Sequence, residues 1–432
     1  MTLTSIVCAG CGWTAPPLHA TPFRCPHEGD DVDHVLRRRL AGTPEIVDDP
    51  DPFLRFRKLT HAWHTAMALG MSDAEFVALV RGLGLPFRTT PLRFEPALGV
   101  WVKDETRNVG GSHKSRHLMG AMIWLRVAEL IDGDLARRPL AIASCGNAAI
   151  AAATIARAAR RQLEVFLPAG ANPCVVGALE SLGAYVTPCK RNGAGDPAYH
   201  RFREAVAAGA LPFTCQGNEN GLVIEGGETL GWELIAQAPA FDRVVIHVGG
   251  GALASSIVAA FDDALAMGLV DRLPRFDTVQ TASAYPLKRA WERVAARGDL
   301  AYAMRHRSEF MWSWESEPRS VAEGILDDET YDWAAVVRGM MATGGEAIVA
   351  SEAQLTEANR LARAAGYDVS ATGSAGYAGV LARPSQGVTA VLFTGCGSAG
   401  VLAGWSAGVP PAAEARRLSA SRRDDGVPSC RR

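Results

Sequence analysis

No run in this 432-residue chain reaches the ~18 to 20 consecutive apolar residues of a membrane span. Its first residues, MTLTSIVCAGCG, lack the basic start and long apolar centre of a secretory signal. An excess of one charge is missing as well: 44 Lys and Arg stand against 46 Asp and Glu, a formal net charge of −2. No segment concentrates basic residues with interleaved aromatics, which excludes the electrostatic footprint of a nucleic-acid binder or of a protein held on an anionic membrane. The partners expected are therefore small molecules. Nor is a disulfide framework expected from the cysteines, nine of them, an odd number scattered through apolar segments. That usage fits a reducing compartment, and the cytoplasm is the expected location. What the chain does have is 48% hydrophobic and only 21% charged residues, more than one folding unit needs and enough for two or three packed layers.

Residues 1 to 36 stand apart, with Cys8, Cys11, Cys25 and His27 in a proline-rich stretch that has neither helical nor strand period. Cys8-x-x-Cys11 followed by Cys25-x-His27 resembles a zinc ribbon, in which two turns each offer two soft ligands to a tetrahedral ion. Glu28 stands where a second C-x-x-C would end, so the alternative is a knuckle held by its own apolar residues. At the other end, the Pro/Ala/Arg/Ser-rich tail from Pro410 reads as disordered. Between the ends, short apolar strands alternate with amphipathic helical stretches: PLAIAS (139 to 144), LEVFLP (163 to 168) and RVVIHV (243 to 248) each precede a helix. VTAVLFT (388 to 394) precedes a glycine-rich turn. Continuous β-branched runs separated by helices predict an α/β fold of parallel or mixed sheets with helices on both faces. Ligands in such sheets bind outside the C-terminal strand ends.

Four strand-end turns carry polar chemistry. GVWVKDE runs into NVGGSHKSR, placing Lys114 in a glycine- and hydroxyl-rich turn. After Ser144 comes SCGNA, where Gly146 and Asn147 open an alanine-rich helix whose free N–H groups suit a carboxylate. Val248 is followed by Gly249, Gly250 and Gly251, which allow the backbone to curl around a phosphate at a helix N-terminus. This turn lacks the spacing of a dinucleotide site and the G-K-[ST] ending of a P-loop, which argues against NAD and ATP. Phe393 is followed by Thr394, a neutral hydroxyl at a strand end. An imine-forming lysine, an asparagine, a phosphate cup and a hydroxyl match the aldehyde, phenolic oxygen, phosphate and ring nitrogen of pyridoxal 5′-phosphate.

At these residues the chain resembles the fold-type-II pyridoxal-phosphate enzymes, within the tryptophan synthase β-like superfamily, and among them threonine synthase. The resemblance runs from about residue 8 to residue 404: CAGCG for the ribbon, DPFLRFR (51 to 57), TPL (90 to 92), Lys103 to Glu105, NVGGSHKSR, SCGNA, QGNENGLVIEGGET (216 to 229), Gly249 to Leu253 and LFTGCG. It implies that Lys114 is the Schiff-base lysine and that Asn147, Gly249, Gly250, Gly251, Ala252, Leu253 and Thr394 hold the cofactor. Ser144, Gly146 and Asn147 would take the substrate carboxylate. If the substrate is phosphohomoserine, Ser112, Arg116 and Asn218 are the residues expected at its phosphate; otherwise Arg116 is a solvated helix residue and Asn218 a turn residue. A small domain is expected over 113 to 214 and a large one over 45 to 112 and 215 to 408, and the resemblance implies a homodimer. His113 before the lysine and a helical insertion between residues 60 and 89 depart from the threonine synthase pattern.

The implied activity is elimination or replacement at Cβ or Cγ of a small amino acid, of the threonine synthase type. Threonine or serine ammonia-lyase, and β- or γ-replacement giving a non-standard amino acid, stand as alternatives. A hydroxyl such as Thr394 cannot give the ring nitrogen a full proton. That weakens the electron sink and favours expulsion of a side-chain leaving group over transamination.

Overall fold

A computed structural model describes residues 3–190, 196–237 and 240–397; the tail expected to be disordered from Pro410 lies outside them. β1 (Thr4–Cys8) and β2 (Leu36–Leu40) pair antiparallel as an N-terminal ribbon. β3 (Leu92–Glu95) and β4 (Val100–Asp104) form a hairpin. β5 (Leu140–Ala143), β6 (Leu163–Pro168), β7 (Tyr185–Cys189) and β8 (Leu211–Pro212) make a parallel sheet in the order β7-β6-β5-β8. β9 (Arg243–His247), β10 (Arg275–Thr281), β11 (Ala347–Ala350) and β12 (Thr389–Phe393) join the hairpin in a six-stranded sheet, order β11-β10-β9-β12-β4-β3. Every neighbour pair in that sheet is parallel except β3 with β4.

The expected α/β architecture is therefore present, and burial explains the strand composition. All five residues of β9 and all five of β12 are buried, because separate apolar cores cover the two faces of the six-stranded sheet. A third core joins the four-stranded sheet to the helices around it.

One helix, Lys114–Ile131, stands between these bodies and is buried over most of its length, with polar residues including Arg116 and His117 in its first turn and apolar ones in its middle. It packs on helix Asn147–Ala158 behind the small sheet and on helix Val223–Gln237 behind the large one. The second contact is a glycine-to-glycine approach: a Cβ on Gly120 would lie 2.5 Å from the Cα of Gly226. Any side chain there would push the helices apart and move Lys114, which opens the first turn. The insertion between residues 60 and 89 folds as helices His61–Ala68 and Asp73–Gly82. Among the described residues, no helix is long and apolar enough to cross a membrane.

Candidate active site

The turn NVGGSHKSR is built by its own side chains. Asn108 accepts from the Val109 N–H at 2.8 Å and donates to Glu105 at 2.7 Å, and Gly110 and Gly111 take left-handed φ values of 67° and 72°. Backbone bonds then lace the turn to the end of β12, His113 N–H to Thr394 O at 2.9 Å and Cys396 N–H to Gly111 O at 3.0 Å. The helix after β5 adds a third side, because a Cβ on Gly395 would meet Asn147 Nδ2 at 2.8 Å and Ser112 Cβ at 3.1 Å. Ser112, Asn147 and Thr394 thus converge from three separate strand ends. The Ser144–Asn147 turn lies at the mouth, with Ser144 and Asn147 half-buried and Gly146 exposed. Gly146 N–H reaches Ser144 Oγ at 3.3 Å.

Lys114 is half-buried, and its amine has no hydrogen-bond or ion-pair partner among the described residues. Burial, and then its positive charge, push His113 well below the usual imidazole range and hold His247 down at about 3. His117 is also held at about 3, chiefly by burial with the same charge adding to it. Three neutral imidazoles therefore surround the lysine near pH 7. His113 makes a side-chain hydrogen bond to Thr394 O at 3.2 Å, and Thr394 Oγ1 lies 3.0 Å from His247 Nε2. Cys215 Sγ lies 3.9 Å from Lys114 O, so the turn that includes Asn218 borders the same space. Ser112 Oγ and Asn218 Oδ1 are buried without a partner among the described residues, which is how groups shaped for a polar ligand stand; His247 Nδ1 is unpartnered too, but it faces Gly376.

The glycine loop forms the far wall. Gly251 has φ +95° and opens helix Ala252–Ala266, so free N–H groups and the positive helix end face one spot, with Ala252 and Leu253 buried behind it. The Asp327 carboxyl lies against the loop and accepts from the Gly250 N–H; burial raises its pKa, with the Lys114 charge and that bond opposing. A Cβ on Gly249 would collide with its Oδ2, so only glycine fits. Thr330 Oγ1 donates to Gly249 O and Asp332 N–H to Gly250 O, both at 3.0 Å, which fastens this acidic segment over the loop.

A family model described as pyridoxal-phosphate dependent enzyme matches residues 84–395. This chain belongs to that family. The pyridoxal-phosphate enzyme is 25% identical over 383 residues to threonine synthase of Methanocaldococcus jannaschii, covering 83% of this chain and 86% of that one. It is 28% identical over 172 residues to L-serine dehydratase of Saccharomyces cerevisiae, 38% of this chain and 51% of that one. Its fold is that of maize serine racemase (TM-score 0.59, 16% identity, 74% of this chain and 92% of that one). The same holds for the threonine deaminase of tomato, Solanum lycopersicum, in the processed form of its isoform 2 (0.57, 16%, 76% and 85%). The residues of the site suit the cofactor: a free amine, a loop that takes a carboxylate, and orphaned polar atoms between them.

Two sequence expectations need correction. Arg116 is neither a ligand for a substrate phosphate nor a solvated helix residue. Its Nε and Nη2 bond Glu105 at 2.8 and 2.9 Å, and its Nη1 bonds Glu233 at 2.7 Å and Thr229 at 3.1 Å, all buried. No donor is left for a ligand, because each nitrogen already serves a carboxylate. In the ribbon, His34 and not His27 closes the cysteine cluster. The ligand atoms of Cys8, Cys11, Cys25 and His34 lie within 4.8 Å of one another, whereas His27 is exposed with Nδ1 3.7 Å from Cys11 Sγ. His247 and Asp327 were missed. A histidine inside the apolar run RVVIHV was the available signal for the first; nothing local marks the second, which only the chain path brings to Gly250.

Proposed function

We propose that this enzyme cleaves a carbon–oxygen bond at Cβ of a small hydroxy amino acid, releasing ammonia and a 2-oxo acid, as a serine or threonine ammonia-lyase does. The observation that carries the reading is the state of Arg116: the cation the sequence offered for a leaving-group phosphate is spent on Glu105 and Glu233. A hydroxyl leaving group needs no such cation. In this reading the N–H groups of the Ser144–Asn147 turn hold the substrate carboxylate, and the amine of Lys114 carries the cofactor and moves the proton at Cα. When the cofactor is bound, Asn147 would serve its phenolic oxygen and Thr394 its ring nitrogen. When bound, pyridoxal phosphate supplies the electron sink for the carbanion. The site's three neutral imidazoles hold no charge that would compete for the carboxylate.

The second reading, threonine synthase chemistry on phosphohomoserine, is favoured by the likeness over 83% of the chain to the Methanocaldococcus jannaschii protein. Purified enzyme offered serine, threonine and phosphohomoserine separates the two. Pyruvate or 2-oxobutyrate from the first pair is the expected result, and phosphate release from the third with no oxo acid from the others would overturn it.

The ribbon is proposed to hold one zinc ion on Cys8, Cys11, Cys25 and His34. Cys11 Sγ to Cys25 Sγ is 3.6 Å and Cys8 Sγ to His34 Nδ1 is 3.4 Å. Ligand edges around tetrahedral zinc are about 3.8 Å between sulfurs, so the set is close to closed. His34 Nε2 lies 2.8 Å from Asp30 Oδ1, the outer carboxylate that fixes a ligating imidazole. One equivalent of metal, released to a chromophoric chelator, is expected from the wild-type protein and from His27→Ala, and less than about a tenth of it from His34→Ala. Equal retention by both variants would refute the ligand set.

A further inference from the structure

Thr394 and His247 end neighbouring parallel strands and face each other at 3.0 Å, both almost wholly buried. The other ring nitrogen, Nδ1, has no partner among the described residues and looks toward Gly376, whose added Cβ would lie 3.8 Å away. Two neutral tautomers exist, and they differ in what they bury. With the proton on Nδ1, a donor is sealed in without an acceptor, an arrangement rare in folded proteins. With the proton on Nε2, only a lone pair goes unfilled, the cheaper deficit. The cation would orphan the same Nδ1–H, and burial, then the Lys114 charge, keep this imidazole's titration at about 3. The Nε2–H form therefore donates to Thr394 Oγ1.

The direction of that bond decides what the threonine can do. Having accepted from His247, the hydroxyl retains its own proton to donate elsewhere. Were His247 the acceptor, the hydroxyl proton would be used up and only lone pairs would face outward. Backbone bonds, Thr394 N–H to Gly373 O at 3.1 Å and His113 N–H to Thr394 O, hold the main chain in place, and among the described residues His247 Nε2 is the group that bonds the hydroxyl.

We propose that His247 is a positioning residue that fixes the Thr394 hydroxyl as a donor toward the cofactor's ring nitrogen, so that this nitrogen stays unprotonated. The proposal rests on the reading above that Thr394 lies at that nitrogen. It predicts a sink strong enough for loss of a β-substituent and weak for transamination.

The test is nitrogen NMR, which reads protons and not turnover. In enzyme carrying ¹⁵N-histidine, the His247 signals should be those of an Nε2–H neutral ring; an Nδ1–H tautomer or an imidazolium overturns the proposal without any variant. With ring-¹⁵N cofactor loaded, wild type and His247→Gln, which keeps an N–H donor, should show a hydrogen-bonded unprotonated ring nitrogen. His247→Glu, an acceptor, should shift it to the protonated signal and raise transamination. A folded, loaded His247→Glu with the wild-type signal overturns the role of His247. Thr394→Val separates the two readings: if it too leaves the ring signal unchanged, it is the placement of Thr394 that has failed.

Discussion

Lys114→Ala is expected to lose turnover by at least about 10³-fold with every substrate, the scale of removing a positioned acid–base group, while its unfolding midpoint matches that of wild type when both are freed of cofactor. The amine has no partner among the described residues, so deleting it leaves no buried group unpaired. The rival for its role is Lys103, the other lysine placed inside this region. Lys103 is fully buried, and its Nζ bonds Glu233 at 2.5 Å, Gln237 at 2.6 Å and Thr90 O at 2.8 Å. An amine held by a carboxylate and two carbonyl oxygens is a structural cation, not a nucleophile. Borohydride reduction of loaded protein followed by peptide mapping makes the same distinction covalently. The label is expected on the peptide containing Lys114 and absent from the variant; activity within about tenfold of wild type, or a label on Lys103, would defeat the assignment.

What was legible in advance follows from how far apart in sequence the interacting groups lie. The strand-end turns could be read because each is local: consecutive glycines, a hydroxyl after an apolar run and an asparagine opening an alanine-rich helix declare themselves within about six residues. The alternation of buried strands and helices is local in the same sense, and it yielded the α/β class. Partners that meet only through the tertiary fold carried no such signal. Arg116 reads as a surface helix residue by composition, and it is Glu233, 117 positions on, that makes it a core residue. His34 entered the ribbon because β2 returns antiparallel to β1, which pairs Cys8 with Leu36 and brings the residues just before that strand beside the cysteines. A ligand count along the sequence stops at His27 for want of that pairing. Asp327 too lies far from its partner in sequence, beyond helix Ala252–Ala266 and β10 in an irregular stretch that returns to the glycine loop.

Arg116→Met should lower the free energy of unfolding by about 3 to 5 kcal/mol, the cost of stripping one partner from a buried ionic cluster. Lys103, Arg116, Glu105 and Glu233 form a neutral tetrad, two cations and two carboxylates, with side chains at most 1% exposed. Burial alone would raise Glu105, but the Arg116 charge and its two hydrogen bonds outweigh burial and hold that carboxyl below its usual range. Without the guanidinium, two sealed carboxylates share one lysine. Arg116→Lys keeps the charge and loses the fork that serves both carboxylates at once, so it should fall between wild type and Arg116→Met. The measurement is denaturant unfolding of both variants beside KM for each candidate substrate. Since Arg116 lies two residues beyond Lys114 in the same helical turn, the tetrad helps hold that turn in place along with the Gly120–Gly226 contact, and turnover should fall along with stability. A variant with the wild-type midpoint and a selectively raised KM for phosphohomoserine would return Arg116 to the substrate and threonine synthase chemistry to the site.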